Sequence, residues 1–280
     1  MKKIEEKISL MAKDPVLSCP RCRKPLEVSG KSLVCATGHT YDVSKKGTVN
    51  FVQGEGEDDY NMAMLEARER VIAQGFFDGI LRRVAEAVAR DLMAKGQQTA
   101  RILDAGCGDG SQLVRLGLFL KEKGFSVSLY GVDISKDGIS IAGRRAGDAL
   151  YFVGDLSRLP FLEGTMDIIL NILSPANYKE FARVLKKDGL AYKVIPDTGY
   201  LTELRKLYGL PEYSNGEIVR HLEAHAVIKD SEKIRYVTDV TAYADDLLLM
   251  TPMLWDKPMA DSEGELHHMT VETELYTFGF

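Results

Sequence analysis

Residues 101–111 read RILDAGCGDGS, an apolar run that ends in an acid and then three glycines. A short strand, a glycine turn and the opening of a helix form the arrangement by which parallel sheets present backbone to a nucleotide at their carboxyl edge. Downstream, QLVRLGLFLKEKG has helical spacing and VSLYGVD reads as a second strand. The alternation continues through helix KDGISIAGRRAG, strand ALYFVGD, strand MDIILNI, helix NYKEFARVLKKDG and strand LAYKVIP. Strands spaced by helical patterns predict an α/β domain with a mainly parallel, doubly wound, Rossmann-like sheet. IRYVTDVT, a helix near AYADDLLLM, and ELYTFGF supply the last elements.

The loop leaves two ligands open, a dinucleotide and S-adenosylmethionine (SAM). Gly106, Gly108 and Gly110 run G-x-G-x-G, where the dinucleotide fingerprint is G-x-G-x-x-G, and this favours SAM. Asp104, at the end of the first strand, is placed to receive the ammonium of a methionine moiety. Asp133 ends the second strand, where a carboxylate accepts ribose hydroxyls. The third strand runs into Gly154-Asp155-Leu156, where an acid can meet an adenine amino group. Asn171, in NILSP, ends the fourth at the mouth where substrate would sit, and with the Ser174–Pro175 backbone it is the candidate catalytic group. Each acid taken alone could equally be a helix cap. Cys107 reads as a small packed residue inside the loop.

Towards the N-terminus, CPRCRKPLEVSGKSLVCATGH (19–39) holds three of the four cysteines of the 280-residue chain. The spacing is Cys19-x2-Cys22, twelve residues, then Cys35-x3-His39. Each close pair fits one tight turn, and Pro20 and Gly38 supply turn chemistry. Three thiolates and an imidazole suit Zn²⁺, and four protein ligands leave no open position for water, so a structural zinc is expected. The segments LEV, SLVC and TYDV (26–43) read as short strands with too few apolar residues to fold by burial alone. QGEGEDDY (53–60) reads as a linker. Residues 61–95 carry helical periodicity, with Ile80, Leu81, Val84, Val88 and Leu92 on one face. The expected division is a zinc module over 1–52, linker and connecting helices over 53–96, and a methyltransferase domain over 97–280.

Net charge is −5 overall, but residues 1–50 hold ten Lys/Arg against five Asp/Glu, so a basic front end sits on an acidic body. A polyanion would meet the front end, unless the lysines there simply solvate a small module. No apolar run is long enough to span a membrane and no secretory leader is visible, and clustered thiols suit a reducing compartment, so a cytoplasmic location is expected.

At this point the residues match a family. The chain resembles bacterial 23S ribosomal RNA guanine-N1 methyltransferases, which join an N-terminal zinc module to a class I SAM-dependent methyltransferase domain. The resemblance rests on CPRC (19–22), CATGHTYDVSKKGTVNF (35–51), MLEARERVIAQGFF (64–77), LDAGCGDG (103–110), GVDIS (131–135), LPF (159–161), NILSP, RVLKKDG (183–189), PDTGYLTELRKLYG (196–209) and MTPMLW (250–255). It implies that Cys19, Cys22, Cys35 and His39 hold zinc and that the Gly108–Asp109 step contacts SAM. It also places Phe77 and Tyr200 at SAM-contacting positions, where the family has a tyrosine and, in some members, a histidine. Thr48 likewise stands where tyrosine is usual.

The function implied is methylation of N1 of a guanine in a hairpin loop of 23S ribosomal RNA, with the zinc module gripping phosphates through Arg21, Arg23, Lys24, Lys31, Lys45 and Lys46. Guanine N1 must lose a proton, and no base for that step is evident in the sequence. Two other readings stand beside it: a small-molecule methyltransferase whose zinc module packs or forms a homodimer, and a non-catalytic RNA-binding protein that retains SAM.

Overall fold

The computed structural model describes residues 2–52, 61–145, 147–254, 257 and 266–280; the expected linker 53–60 and Trp255 of MTPMLW lie outside them. Helix α1 (Lys3–Lys13) precedes β1 (Leu26–Ser29), β2 (Ser32–Cys35) and β3 (Thr40–Asp42), an antiparallel sheet of three strands, and then β4 (Val49–Asn50). Next come α2 (Met62–Ala73), α3 (Asp78–Ala94), β5 (Thr99–Ala105), α4 (Ser111–Glu122), β6 (Ser126–Asp133), α5 (Lys136–Ala142) and β7 (Leu150–Val153). The chain continues with β8 (Met166–Ile172), α6 (Tyr178–Val184), β9 (Leu185–Pro196), α7 (Thr202–Leu207), α8 (Gly216–His225), β10 (Val227–Asp239), α9 (Ala244–Leu249) and β11 (His268–Gly279).

The main sheet has eight strands in the order β4-β7-β6-β5-β8-β9-β11-β10. Pairing is parallel from β4 to β9 and antiparallel where β11 joins β9 and β10. The chain lays down β5, moves outward to β6 and β7, and then crosses back to β8. The carboxyl ends of β5 and β8 therefore flank the topological switch point, where this class of sheet binds ligands. All seven residues of β8 are buried, as a strand covered on both faces requires.

Two expected helices differ from the sequence reading. The periodic stretch 61–95 is two helices, interrupted around Gly75, whose φ of +85° a side chain would strain. The helix expected through NYKEFARVLKKDG stops at Val184, because Leu185 is buried opposite Met166 as the first residue of β9.

One face of the sheet is covered by α2, α3 and α4 through Val71, Ile80, Val84 and Leu116. The other is covered by α6, α8 and the N-terminal residues. Between β7 and β8 there is only one 3₁₀ turn, Leu156–Arg158, where a full crossover helix would normally lie. The N-terminal segment takes that place. Ser18 N–H donates to the Pro160 carbonyl at 3.0 Å and Leu162 N–H to that of Val16 at 2.8 Å. Rings continue the contact inward: Tyr41 to Phe51 at 4.9 Å, Phe51 to Phe152 at 5.7 Å, and Phe152 to Phe161 at 5.9 Å between centroids. Since β4 is itself the edge strand of the main sheet, residues 1–52 share a sheet and a core with the body. The N-terminal residues up to 52 therefore pack into the main sheet as well as carrying the cysteine cluster. Composition signals a module, but it carries no trace of what the module packs on. Among the described residues no helix is long and apolar enough to cross a membrane.

Candidate functional site

The metal ligands are assembled by two tight turns. Arg23 N–H donates to the Cys19 carbonyl at 2.7 Å, and Gly38 N–H to that of Cys35 at 2.8 Å. Gly38 has φ +82°, the left-handed conformation that glycine adopts freely. The ligand atoms of Cys19, Cys22, Cys35 and His39 all lie within 4.8 Å of one another. Cys22 and Cys35 Sγ are 3.6 Å apart, and His39 Nδ1 is 3.4 Å from both Cys19 and Cys35 Sγ. A zinc tetrahedron with bonds of about 2.0–2.3 Å has edges of roughly 3.4–3.8 Å, so the spacing and the donor set fit Zn²⁺. Tyr41 OH lies 3.2 Å from Cys19 Sγ, and Thr37 Oγ1 lies 3.0 Å from both Cys22 and Cys35 Sγ. Thr37 Oγ1 is also 3.1 Å from His39 Nδ1, so it caps the face formed by Cys22, Cys35 and His39, and both hydroxyls can steady the ligands. The centre is closed, and its role is structural.

The cofactor cleft forms at the ends of β5, β6 and β8. Gly106, Gly108 and Gly110 have φ of +91°, +54° and +73°, so the whole loop depends on glycine. A Cβ on Gly106 would lie 1.9 Å from Ser174 Oγ, whereas one on Gly108 would meet nothing within 4 Å. The open side of the loop is therefore at Gly108. Gly108 N–H donates to Asp133 Oδ2 at 2.7 Å and Ser135 N–H to Oδ1 at 2.9 Å, which fixes loop and α5 against one carboxylate. Leu65, Arg68, Ser135 and the segment Leu173–Pro175 complete the walls. Leu173 has φ +52°, a strained conformation for a branched side chain.

Two buried groups here have no hydrogen-bond partner: both oxygens of Asp104, and Nε of Arg68. Asp104 is 1% exposed, and burial, with Asp133 nearby, pushes its pKa up to about 7 against the pull of Arg68. Arg68 lines the cleft, and Asp104 lies behind the glycine loop within its electrostatic reach. An unpaired buried carboxylate is costly, and an unpaired acceptor and donor in one neighbourhood match the ammonium and carboxylate of an amino-acid end group. The residues present thus fit SAM, whose methionine end Asp104 and Arg68 would hold. Sequence reasoning missed Arg68, although it lies in the quoted segment MLEARERVIAQGFF; a lone arginine in a helix that already carries several charges gives no signal of its own.

The remaining expected residues are more scattered. Gly106, Gly108 and Asp133 line the cleft together. Gly110 opens α4 and is backed by the ring of Tyr151. Asp109 is 1% exposed and ion-paired to Arg145, with Ser111 also bonded to it, so its carboxylate secures the loop from behind. Asp155 is exposed and accepts from Ser157 N–H at 2.7 Å, as the cap of the 3₁₀ turn; Leu156 is the first residue of that turn. Phe77 is 2% exposed and edge-on to Phe76 at 4.9 Å, inside the core. Tyr200 is buried in the same core, which pushes its pKa up to about 12 despite the fields of Arg68 and Arg205.

Asn171, the expected catalytic group, is fully engaged by its neighbours. Its amide donates to the carbonyls of Ala105 and Pro175, each at 2.8 Å, while its oxygen accepts from Lys193. Every polar atom is used in tying β5, β9 and the Leu173–Pro175 segment together. Of the six expected phosphate-gripping cations, two are also engaged. Arg23 makes a two-pronged pair with the buried Glu180, 3.0 Å at each nitrogen, and Lys46 Nζ donates to the Ser140 carbonyl at 3.2 Å. Arg21, Lys24, Lys31 and Lys45 are exposed.

Across the Leu173–Pro175 segment lies a second cavity of about 520 Å³, lined by Tyr178, Lys193, Tyr213, Glu217 and His221 among others. Because Leu173, Ser174 and Pro175 line both spaces, an acceptor in the second would abut a donor in the first.

A family model described as "RlmA, N-terminal" matches residues 17–53, and one described as "Methyltransferase domain" matches residues 102–189. The chain is 39% identical over 248 residues to "Putative 23S rRNA (guanine-N(1)-)-methyltransferase YxjB" of Bacillus subtilis, covering 86% of this chain and 87% of that one. It is 32% identical to the Micromonospora griseorubida protein that bears the same description without the suffix, over 70% of each chain. To the 23S rRNA (guanine(748)-N(1))-methyltransferase of Streptomyces fradiae it is 30% identical over 78% of each.

Proposed function

We infer the activity from the premise that this chain belongs to the 23S rRNA (guanine-N1)-methyltransferase family: it methylates N1 of a guanine in 23S ribosomal RNA, using SAM. SAM supplies an electrophilic methyl group on a sulfonium. The protein's task is then to hold donor and acceptor in line and to exclude water. The observation that carries the reading is the shared Leu173–Pro175 segment, with a cleft that fits an amino-acid end group on one side and, on the other, a cavity large enough to admit a base, with Tyr178 and Tyr213 in its wall.

A guanine must leave its stack to enter such a cavity, which favours a hairpin loop over a duplex as the substrate element. Arg21, Lys24, Lys31 and Lys45, exposed on the N-terminal module, would hold the flanking phosphates. Reaction on ribosomal RNA accords with a cytoplasmic location. A homodimer belongs to the same proposal, and light scattering of the purified chain reads it directly.

The test is methyl transfer from labelled SAM to 23S RNA that lacks the mark, followed by mass mapping of the modified nucleotide. One 1-methylguanine per RNA is expected. Incorporation into no ribosomal RNA, or at another atom, would sink the reading.

A further inference from the structure

The second cavity contains a lysine for which the reaction as described has no use. Lys193 lies in the middle of β9, flanked in register by Asn171 of β8 and Tyr276 of β11, and is only 3% exposed. It nevertheless lines the cavity. Its Nζ donates to Asn171 Oδ1 and, at 2.9 Å, to the Ser174 carbonyl, and among the described residues no carboxylate pairs with it. A tetrahedral amine bonded to its own carbon and donating two N–H groups has one direction left. In the neutral amine that direction is the lone pair. The two acceptors are thus the number a neutral amine needs, and burial without a counter-charge lowers the pKa of the amine to about 8.

We propose that Lys193 accepts the N1 proton of the target guanine during methyl transfer, an assignment that rests on the guanine-N1 reading above. The balance is simple. The N1–H bond breaks and its proton joins Nζ, giving an ammonium. The pair left on N1 forms the bond to the methyl carbon as the carbon–sulfur bond breaks, and that pair goes to sulfur, which leaves as a neutral thioether. The ammonium returns its proton to water once product has gone. Asn171 and the Ser174 carbonyl position the amine.

The other titratable groups facing the cavity suit the task less well. Burial raises Tyr178 of α6 to about 12 and also raises Tyr213. Tyr276, beside Lys193 in register on β11 but outside the cavity lining, is hydrogen-bonded to Glu274 at 2.6 Å. Glu217 and His221 of α8 are exposed at the rim. Glu217 is the rival, since a carboxylate could also take the proton.

Single-turnover methylation of unmarked 23S RNA by the full chain, followed against pH, tests the assignment. Wild type should accelerate with pH and level off above about 8, where the amine is neutral. Lys193→Met and Lys193→Arg should be slower by about 100-fold or more at pH 7.5, with rates that still climb above about pH 8, where wild type has levelled. Both should bind SAM and RNA within about threefold of wild type, which excludes misfolding as the cause. Independently of turnover, NMR of the protein carrying ¹³Cε-lysine should show one amine titrating near 8 that Lys193→Arg lacks. The proposal is overturned if the variants keep rate and plateau, if the Lys193 amine stays charged through pH 10, or if Glu217→Gln alone removes the plateau. Methylation by wild type at an atom other than N1 would instead defeat the reading on which the proposal rests.

Discussion

The zinc centre and the cofactor cleft are built alike, from thiolates or carboxylates gathered at glycine-bearing turns, yet they are left in opposite states. At the zinc centre the donors complete a tetrahedron among themselves, and Tyr41 and Thr37 lie against the sulfurs. In the cleft Asp104 and Arg68 Nε are buried without a partner, and the loop presents bare backbone at Gly108. A closed set of donors holds shape, whereas an open set waits for a ligand. The difference also separates their energetics, because filling the first stabilises the fold and filling the second relieves a cost already built into it.

The sharpest way to break this contrast is to empty the metal site. Cys35→Ser should release zinc, read by atomic emission, and lower Tm by at least about 5 °C, since structural zinc binding is folding free energy and the module shares the core of the body. SAM affinity by calorimetry should change less than about fivefold, because the cleft lies on other strands. An equal loss of cofactor affinity would mean that the two regions are one cooperative site.

Asp104→Asn should act in the reverse sense. Removing a charge-assisted contact to the ligand's ammonium should weaken SAM binding by about 10- to 150-fold. The unliganded protein should melt higher than wild type at pH 8. The sign follows from the raised pKa: Asp104's contribution to stability is complete below the unfolded value of about 3.9 and is lost as pH rises through about 7. The gain in Tm should therefore fade as pH falls towards 4. A variant that binds SAM normally would remove Asp104 from the cofactor site.

The contrast was partly legible in the sequence. Spacing alone identified Cys19, Cys22, Cys35 and His39, because knuckle ligands are close in sequence and the chemistry is local. The glycine loop and Asp133 were equally plain, being fixed by strand ends. Arg68 and Lys193 were invisible, since each becomes functional only through burial beside residues from other strands. Asn171 was visible as a polar residue at a strand's end, but its bonds to the carbonyls of Ala105 and Pro175 were not, since these come from other segments. The packing of the N-terminal segment on the β7–β8 face was illegible too, because a missing crossover helix leaves no motif behind.

The unpaired state of Asp104 also predicts a pH dependence of cofactor binding. The ligand's ammonium needs the ionised carboxylate, which a neighbouring cation then holds well below its unliganded value of about 7. SAM affinity should thus fall by up to about tenfold per unit as pH drops below 7, with proton release detectable by calorimetry in buffers of different ionisation enthalpy. Asp104→Asn should flatten the profile. A wild-type affinity constant from pH 5 to 7 would contradict the unpaired carboxylate.

The smallest expected effect separates two uses of positive charge within the module. Arg23 and Lys24 are adjacent and both exposed, but Arg23 reaches back to Glu180, which also accepts from Leu159 N–H at 2.8 Å and from Arg183. Arg23→Ala leaves Glu180 those other partners, so the cost should be only about 1 kcal/mol, a fall of about 2–4 °C in Tm. It should barely alter RNA affinity or its salt dependence. Lys24→Ala should do the opposite, leaving Tm unchanged, weakening RNA binding uniformly across sequences, and reducing the slope of log affinity against log salt by about 0.7–0.9. If Arg23→Ala lowers the slope as Lys24→Ala does, the Glu180 pair opens when RNA binds, and the N-terminal module grips its substrate with the same side chain that fastens it to the body.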